Sequence, residues 1–258
     1  MDLELKGKTA LVTGSTAGIG LAIAAALAKE GAAVIVNGRT QERVDNAVRA
    51  SGAAHGIAAD LGTEAGARAV IERFPAVDIL INNLGIFEPK PFEEIVDDEW
   101  RRFFEVNVLS GVRLSRHYIG SMKRKNWGRI VFISSESALQ IPKEMIHYGM
   151  TKTAQLAVSR GLAETTAGTG VTVNSVLPGP TKSEGVLDFV GKLALDNGVD
   201  SAAVEREFFT KARPTSLLQR FATTGEVASV VVFVCSPLAA AMNGTAVRAD
   251  GGILQSIA

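Results

Sequence analysis

Tyr148 and Lys152 stand four positions apart in a stretch, roughly residues 143–167, whose pattern predicts one long helix. Four residues of α-helix make about 400° of rotation and ~6 Å of rise, so the phenol and the ammonium share a face one turn apart. A phenol ordinarily ionises near pH ~10, whereas general acid–base work at neutrality wants a group nearer ~7. Closing that gap takes about 4 kcal/mol, and one positive charge at ~4 Å offers about that much at an effective dielectric of ~20. The pair can therefore make a tyrosine that passes protons. A packed aromatic beside a solvated charge has the same spacing, so the surroundings decide.

Those surroundings alternate between two patterns. Thr9 to Thr13 is an apolar run of the buried-strand type, ending at a glycine turn. Residues 18–29 carry Ile19, Ile23 and Leu27 at helical spacing, and Gly31 stops them. Strands are then expected at 33–37, 57–59, 78–81, 129–133, 171–177 and 245–248, with helices at 41–50, 63–74, 91–125, the Tyr148 stretch and 224–235. Such alternation demands parallel strands joined by right-handed crossovers. The expected fold is α/β: one doubly wound parallel sheet of about seven strands with helices on both faces. No linker, repeat or low-complexity tract divides it, so residues 1–258 read as one domain.

Composition narrows the function classes. The chain has 258 residues, 47% hydrophobic and 21% charged, with no formal net charge. Nothing in that balance favours nucleic acid or an anionic membrane. The single Cys235 lies in an apolar run and reads as a buried small hydrophobe. His55, His117 and His147 lack metal-ligand spacing, so no metal is expected. His147 reads as structural, with a substrate contact as the alternative. The N-terminal residues are charged, with no apolar signal core, and no apolar run approaches the ~18 residues of a membrane span. A cytoplasmic location is expected.

Thr13-Gly14-Ser15-Thr16-Ala17-Gly18-Ile19-Gly20 joins the first strand to the first helix. Glycines let the backbone turn sharply and approach a pyrophosphate, which then meets the free N–H groups of the helix end. The spacing is Gly-x-x-x-Gly-x-Gly rather than the commoner Gly-x-Gly-x-x-Gly. After the second strand, where ribose-specific NAD sites often place a carboxylate, stands Asn37-Gly38-Arg39. The glycine leaves room and Arg39 can pair with a 2′-phosphate, which favours NADP(H) over NAD(H). Asp60, after the third strand, either accepts from an adenine amino group or caps the next helix.

Gly14, Gly18 and Gly20, Asp60-Leu61, Asn82-Asn83-Leu84-Gly85, Asn107, Ser134-Ser135, Tyr148-x-x-x-Lys152 and Pro178-Gly179 fall in that order on those elements. Together they resemble a short-chain dehydrogenase/reductase over essentially the whole chain. The resemblance implies an oxidoreductase moving a hydride between a dinucleotide and a carbonyl or secondary alcohol. Tyr148 would donate the proton in reduction and remove it in oxidation, and Lys152 would lower the tyrosine pKa and hold the nicotinamide ribose. Ser135, thirteen positions before Tyr148, would bond the substrate oxygen. Asn107 would hold a water linking Lys152 to solvent. The dinucleotide would lie against Gly14, Ser15, Thr16, Gly18, Ile19, Gly20, Arg39, Asp60, Leu61, Asn83 and Gly85, with Pro178, Gly179 and Thr181 closing over the nicotinamide.

Ala17 stands where many NADP-using relatives carry a basic residue, so Arg39 would act with Ser15 or Thr40 alone. Leu84 replaces the more usual alanine. The Tyr-x-x-x-Lys spacing favours carbonyl chemistry over double-bond reduction. Residues 183–213 read as a two-helix lid with Val186, Leu187, Phe189, Val190, Leu193, Phe208 and Phe209 inside, over a substrate wall of Ile86, Phe87, Gln140, Ile141, Pro142 and Met145. The family resemblance implies a homotetramer or dimer, using Ala154, Ala157, Val158 and the run 227–234. The alternatives are an NAD(H)-dependent alcohol dehydrogenase and a non-catalytic dinucleotide sensor, which would be expected to lose part of the Asn107, Ser135, Tyr148, Lys152 set.

Overall fold

The computed structural model describes residues 2–198 and 200–257, without the side chains of residues 188, 189, 193, 196 and 197. Seven parallel strands form the main sheet: β1 (Thr9–Val12), β2 (Ala33–Gly38), β3 (His55–Ala58), β4 (Ile79–Asn82), β5 (Gly128–Ile133), β6 (Val171–Pro178) and, last in sequence, β9 (Ala246–Ala249). Their order is β3-β2-β1-β4-β5-β6-β9. The chain winds outward from β1 to β3, returns to place β4 beside β1, and winds outward the other way. Leu11 therefore pairs with Ile35 on one side and Leu80 on the other. Such a reversal leaves a crevice at the carboxyl ends of the strands, where open α/β sheets bind ligands.

The strands are apolar because both their faces are covered. Ala10, Val12, Val34, Val36, Ile79, Ile81, Val131 and Ile133 point to one side, against α1 (Gly18–Lys29), α2 (Gln41–Ser51) and α9 (Thr224–Cys235). Leu11, Ile35, Leu80, Ile130 and Phe132 point to the other, against α3 (Glu64–Arg73), α5 (Ser110–Lys125) and α6 (Ile146–Glu164). Each such side chain stabilises the fold by roughly 1.5–3 kcal/mol through burial. Five residues of the 227–234 run, Val227, Ala228, Val231, Val232 and Val234, belong to this core. Cys235 is fully buried there, and its thiol is pushed up to about 12 by burial.

The stretch expected as one helix over 91–125 is interrupted. A 3₁₀ turn (Phe92–Glu94), α4 (Asp97–Phe104) and a π-helical turn (Glu105–Leu109) precede α5. The π turn centres on Asn107, whose side chain is held from outside the helix. Its Oδ1 accepts from Ile86 N at 2.8 Å, and its Nδ2 donates to Ile86 O and Thr151 Oγ1 at 3.0 Å each. Residues 183–213 carry α7 (Glu184–Asn197), α8 (Ser201–Glu207) and a π turn (Phe208–Ala212). These hang from a short parallel ladder of β7 (Thr181–Lys182) with β8 (Ala222–Thr223). They have a small core of their own, Val190, Ala194, Val204, Phe209 and Phe221. Phe189 and Leu193 belong to the undescribed side chains. No helix among the described residues is long and apolar enough to cross a membrane.

Candidate active site

A cavity of about 630 Å³ opens at the carboxyl ends of β4, β5 and β6. Ile19, Asn83, Gly85, Ser135, Tyr148, Lys152, Pro178, Gly179 and Thr181 line it, drawn from five separate stretches of chain. Val186, Val190, Val204, Phe208 and Phe221 close it from the 183–221 side. Ile86, Phe87 and Met145 join the wall as expected of the apolar side, but Gln140, Ile141 and Pro142 do not. Gln140 and Ile141 turn outward to solvent, because the chain before α6 passes outside the cavity. Leu187 is also turned out, at 52% exposure, and Phe209 packs inside the small core instead of facing the cavity.

The glycine turn after β1 is tightly built. Gly14 and Gly18 both have φ of +57°, the left-handed region that favours glycine. A Cβ on Gly20 would lie 2.5 Å from Asn83 Nδ2 and 2.6 Å from Gly14 O, so no side chain fits there. Asn83 Nδ2 ties the turn to β4 by donating to Thr13 O and Gly14 O at 3.0 Å each. Thr13 Oγ1 accepts from Asn83 N and Leu84 N, a clamp that sequence spacing did not reveal. At the start of α1, Ala17 offers no side-chain cap, and no acidic residue stands in the first turn. Uncapped N–H groups at a helix start, beside a backbone that no Cβ obstructs, fit a dinucleotide pyrophosphate.

Several residues expected around the dinucleotide do other work with their side chains. Ser15 is fully buried; its hydroxyl donates to Val12 O at 2.7 Å and accepts from Asn37 N at 2.9 Å. It therefore cannot assist Arg39. The space beside Gly38 is filled by Thr16, whose Cγ2 would be 2.3 Å from an added Cβ. Leu61 is a core side chain at 1% exposure. Asp60 Oδ1 accepts from Gly62 N at 3.0 Å, and Thr63, not Asp60, caps α3. Arg39 and Thr40 are exposed, and among the described residues Arg39 makes no ion pair.

Tyr148 and Lys152 share one face of α6, with Nζ 5.5 Å from the phenol ring centroid. Lys152 is 4% exposed, and its ammonium turns to the end of β5, donating to Ile133 O at 2.9 Å and Gln155 Oε1 at 3.3 Å. Burial pulls it down to about 8. The Tyr148 phenol is not lowered by this neighbour. Burial and the Glu136 carboxylate push it above its ordinary value, while a hydrogen bond with Ser135 and the charge of Arg213 oppose the rise. The expected depression required a fully charged lysine aimed at the phenol oxygen; here the lysine is aimed elsewhere and is itself poorly solvated.

Ser134 and Ser135 follow β5 and diverge. The Ser134 hydroxyl donates to Lys152 O at 2.9 Å and fastens α6 to the sheet. The Ser135 hydroxyl donates to Glu136 Oε2 at 2.5 Å. Asn107 does not line the cavity, although its Oδ1 would lie 3.6 Å from a Cβ on Gly85 and Lys152 Nζ 3.4 Å from the same point. Its main-chain carbonyl accepts from Gln155 Nε2 at 2.5 Å. Gln155 thus bridges Lys152 and Asn107 directly. His147 is 1% exposed and packs against Phe103 with the rings tilted by 49° and 4.0 Å between centroids, a packing role; burial lowers its pKa. Glu136, Arg213 and Gln155 are the polar residues here that sequence reasoning missed, since neither burial nor an ion pair spanning 77 positions leaves a local signature.

A doubly wound sheet with a glycine turn at its reversal and a serine, tyrosine and lysine in the cavity beside it defines a dinucleotide-dependent oxidoreductase. Residues 8–189 match the family model described as short chain dehydrogenase. The chain belongs to the short-chain dehydrogenase/reductase family. It is 51% identical over 263 residues to the uncharacterized oxidoreductases YvaG and YvrD of Bacillus subtilis, with all of each chain covered. The 3-oxoacyl-(acyl-carrier-protein) reductase FabG of Aquifex aeolicus is 32% identical, with 98% of this chain and all of that one covered. Among solved structures, L-sorbose reductase of Gluconobacter frateurii in complex with NADPH and L-sorbose superposes with a TM-score of 0.93 at 32% identity, each chain fully covered.

Proposed function

We propose that this enzyme reduces a carbonyl to a secondary alcohol with NADPH, Tyr148 acting as the acid. What supports this is one observation above the rest: Ser135, Tyr148 and Lys152 line the same cavity as Gly85, Pro178, Gly179 and Thr181. The acid and the residues assigned to the nicotinamide side thus face one space. When bound, the dinucleotide supplies the hydride. Tyr148 gives its proton to the substrate oxygen as charge develops there. Lys152, donating to Ile133 O and Gln155, has a further N–H to offer a ribose hydroxyl near Gly85. Arg39, exposed and uncommitted, takes the 2′-phosphate. Val186, Val190 and Phe208 line a lid that excludes water over a largely apolar substrate. The likeness to an NADPH-complexed reductase favours NADP(H) for this chain too. Residues 1–258 act as one domain, in a homo-oligomer whose contact surface includes Ala157 and Phe233, both exposed.

The test begins with titration of the purified enzyme with NADPH and NADH by fluorescence, which needs no substrate. Tighter NADPH binding is expected, and tighter NADH binding would shift the assignment to an alcohol dehydrogenase. A panel of ketones, ketoses and acyl thioesters then identifies a substrate. On it, Tyr148→Phe should lose at least ~100-fold in kcat while binding NADPH unchanged. Turnover surviving that change would remove Tyr148 from the acid role.

A further inference from the structure

Gln155 is 1% exposed on the buried face of α6, where burial ordinarily selects an apolar side chain. A buried amide costs stability unless both its ends are bonded, and here both are. Its Oε1 accepts from Lys152 Nζ at 3.3 Å, and its Nε2 donates to Asn107 O at 2.5 Å. The neighbours fix which end is which. An ammonium only donates and a main-chain carbonyl only accepts, so a group lying between them must accept on one side and donate on the other. An amide meets both demands; a carboxylate, a thioether or an alkyl chain of the same size does not.

The far end of this bridge is firmly anchored. The Asn107 side chain is tied to Ile86 N, Ile86 O and Thr151 Oγ1, so Gln155 connects the lysine head to a fixed point of the π turn. Lys152 Nζ makes two hydrogen bonds among the described residues, to Ile133 O at 2.9 Å and to Gln155. One acceptor would leave the end of a long, flexible stem free to swing about it, whereas two hold Nζ in place. An ammonium has three hydrogens, so one remains. Beside Nζ lies Gly85, where an added Cβ would be 3.4 Å away, and Gly85 and Lys152 both line the cavity.

We propose that Gln155 is a positioning residue for the nucleotide: by taking one N–H of Lys152, it aims the remaining one at the ribose of the nicotinamide half. This rests on the assignment above, in which Lys152 meets that ribose. A purely structural amide, tying α6 to the π turn, would act on both halves of the nucleotide alike. A positioning amide acts on the nicotinamide half alone, and only through Lys152.

The test compares two ligands on the full chain by calorimetric titration. One is the tighter-binding of NADPH and NADH. The other is its half without the nicotinamide ribose, adenosine 2′,5′-bisphosphate for NADPH or ADP for NADH. Gln155→Met keeps the volume and removes both polar ends. It should weaken the whole nucleotide at least about fivefold and leave the half within about twofold. In a Lys152→Met background the same change should alter whole-nucleotide binding by less than about twofold, because its target is gone. Unchanged affinity in Gln155→Met would overturn the proposal. So would equal losses for both ligands, including loss through unfolding, and so would a further fivefold loss in the Lys152→Met background. Failure of the unchanged enzyme to bind either dinucleotide would instead remove the nucleotide assignment, and this inference with it.

Discussion

Lys152→Met should make the protein more stable at neutral pH while removing its activity. The ammonium is 4% exposed, is met by two neutral acceptors, Ile133 O and Gln155 Oε1, and among the described residues has no carboxylate in ion-pair range. Its drop from 10.5 to about 8 corresponds to about 3 kcal/mol of folded-state cost for the charged form. Methionine removes that cost and fills a similar volume, but it leaves two acceptors without a donor, at about 1 kcal/mol each. The net gain at pH 7 is about 1 kcal/mol, a few degrees in Tm for a chain of this size. The sign reverses with pH. Between pH 8 and 10.5 the unfolded lysine still holds the proton that the folded one has released, so wild-type stability rises through that window. The variant has no such rise. Above 10.5 the wild type should be the more stable by about 2 kcal/mol, the two lost hydrogen bonds alone remaining. Urea unfolding of both proteins at intervals from pH 7 to 11 measures the difference, and other alkaline titrations cancel in it. An offset that does not change with pH would refute the buried, unpaired ammonium.

Arg39→Ala should weaken NADPH binding by about tenfold or more, the usual range for a lost charge-assisted hydrogen bond, and leave NADH binding within about twofold. Fluorescence titration with both nucleotides decides it, and equal losses would take the 2′-phosphate away from Arg39. Gln155→Leu should cost about 2–3 kcal/mol in urea unfolding, because it strips a partner from both Lys152 Nζ and the Asn107 carbonyl inside a dry site. A loss below about 0.5 kcal/mol would mean that the bridge does not hold the two elements together.

Sheet and helices were legible in the sequence because both kinds of element leave periodic marks. Buried parallel strands such as Ile130–Ile133 are apolar throughout, and α9 ends where its apolar run ends, at Cys235. The break near Asn107 was not legible, because the cause lies outside the helix: Ile86 and Thr151 hold the side chain from other parts of the chain. The positions of Ser135, Tyr148 and Lys152 were legible through their spacing on known element types. The state of Ser15 was not, since a serine in a glycine turn gives no sign of whether its hydroxyl faces a ligand or, as here, Val12 O.

The electrostatics of the Tyr148–Lys152 pair show where spacing stops being informative. Positions four apart on a helix bring side-chain roots together, but a lysine has a long stem and its head goes to whatever polar group is near. Here that group is the free carbonyl at the end of β5, 2.9 Å away, and the ammonium settles there instead of over the phenol oxygen. Tyr148 is raised first by burial and then by the charge of Glu136, a residue adjacent in sequence to Ser135 but unmarked by any pattern. Its charge is kept inside the cavity by Arg213, 77 positions further on. Beyond burial, the charges that act on Tyr148 thus come from separate segments of the chain, residue 136 after β5 and residue 213 after α8.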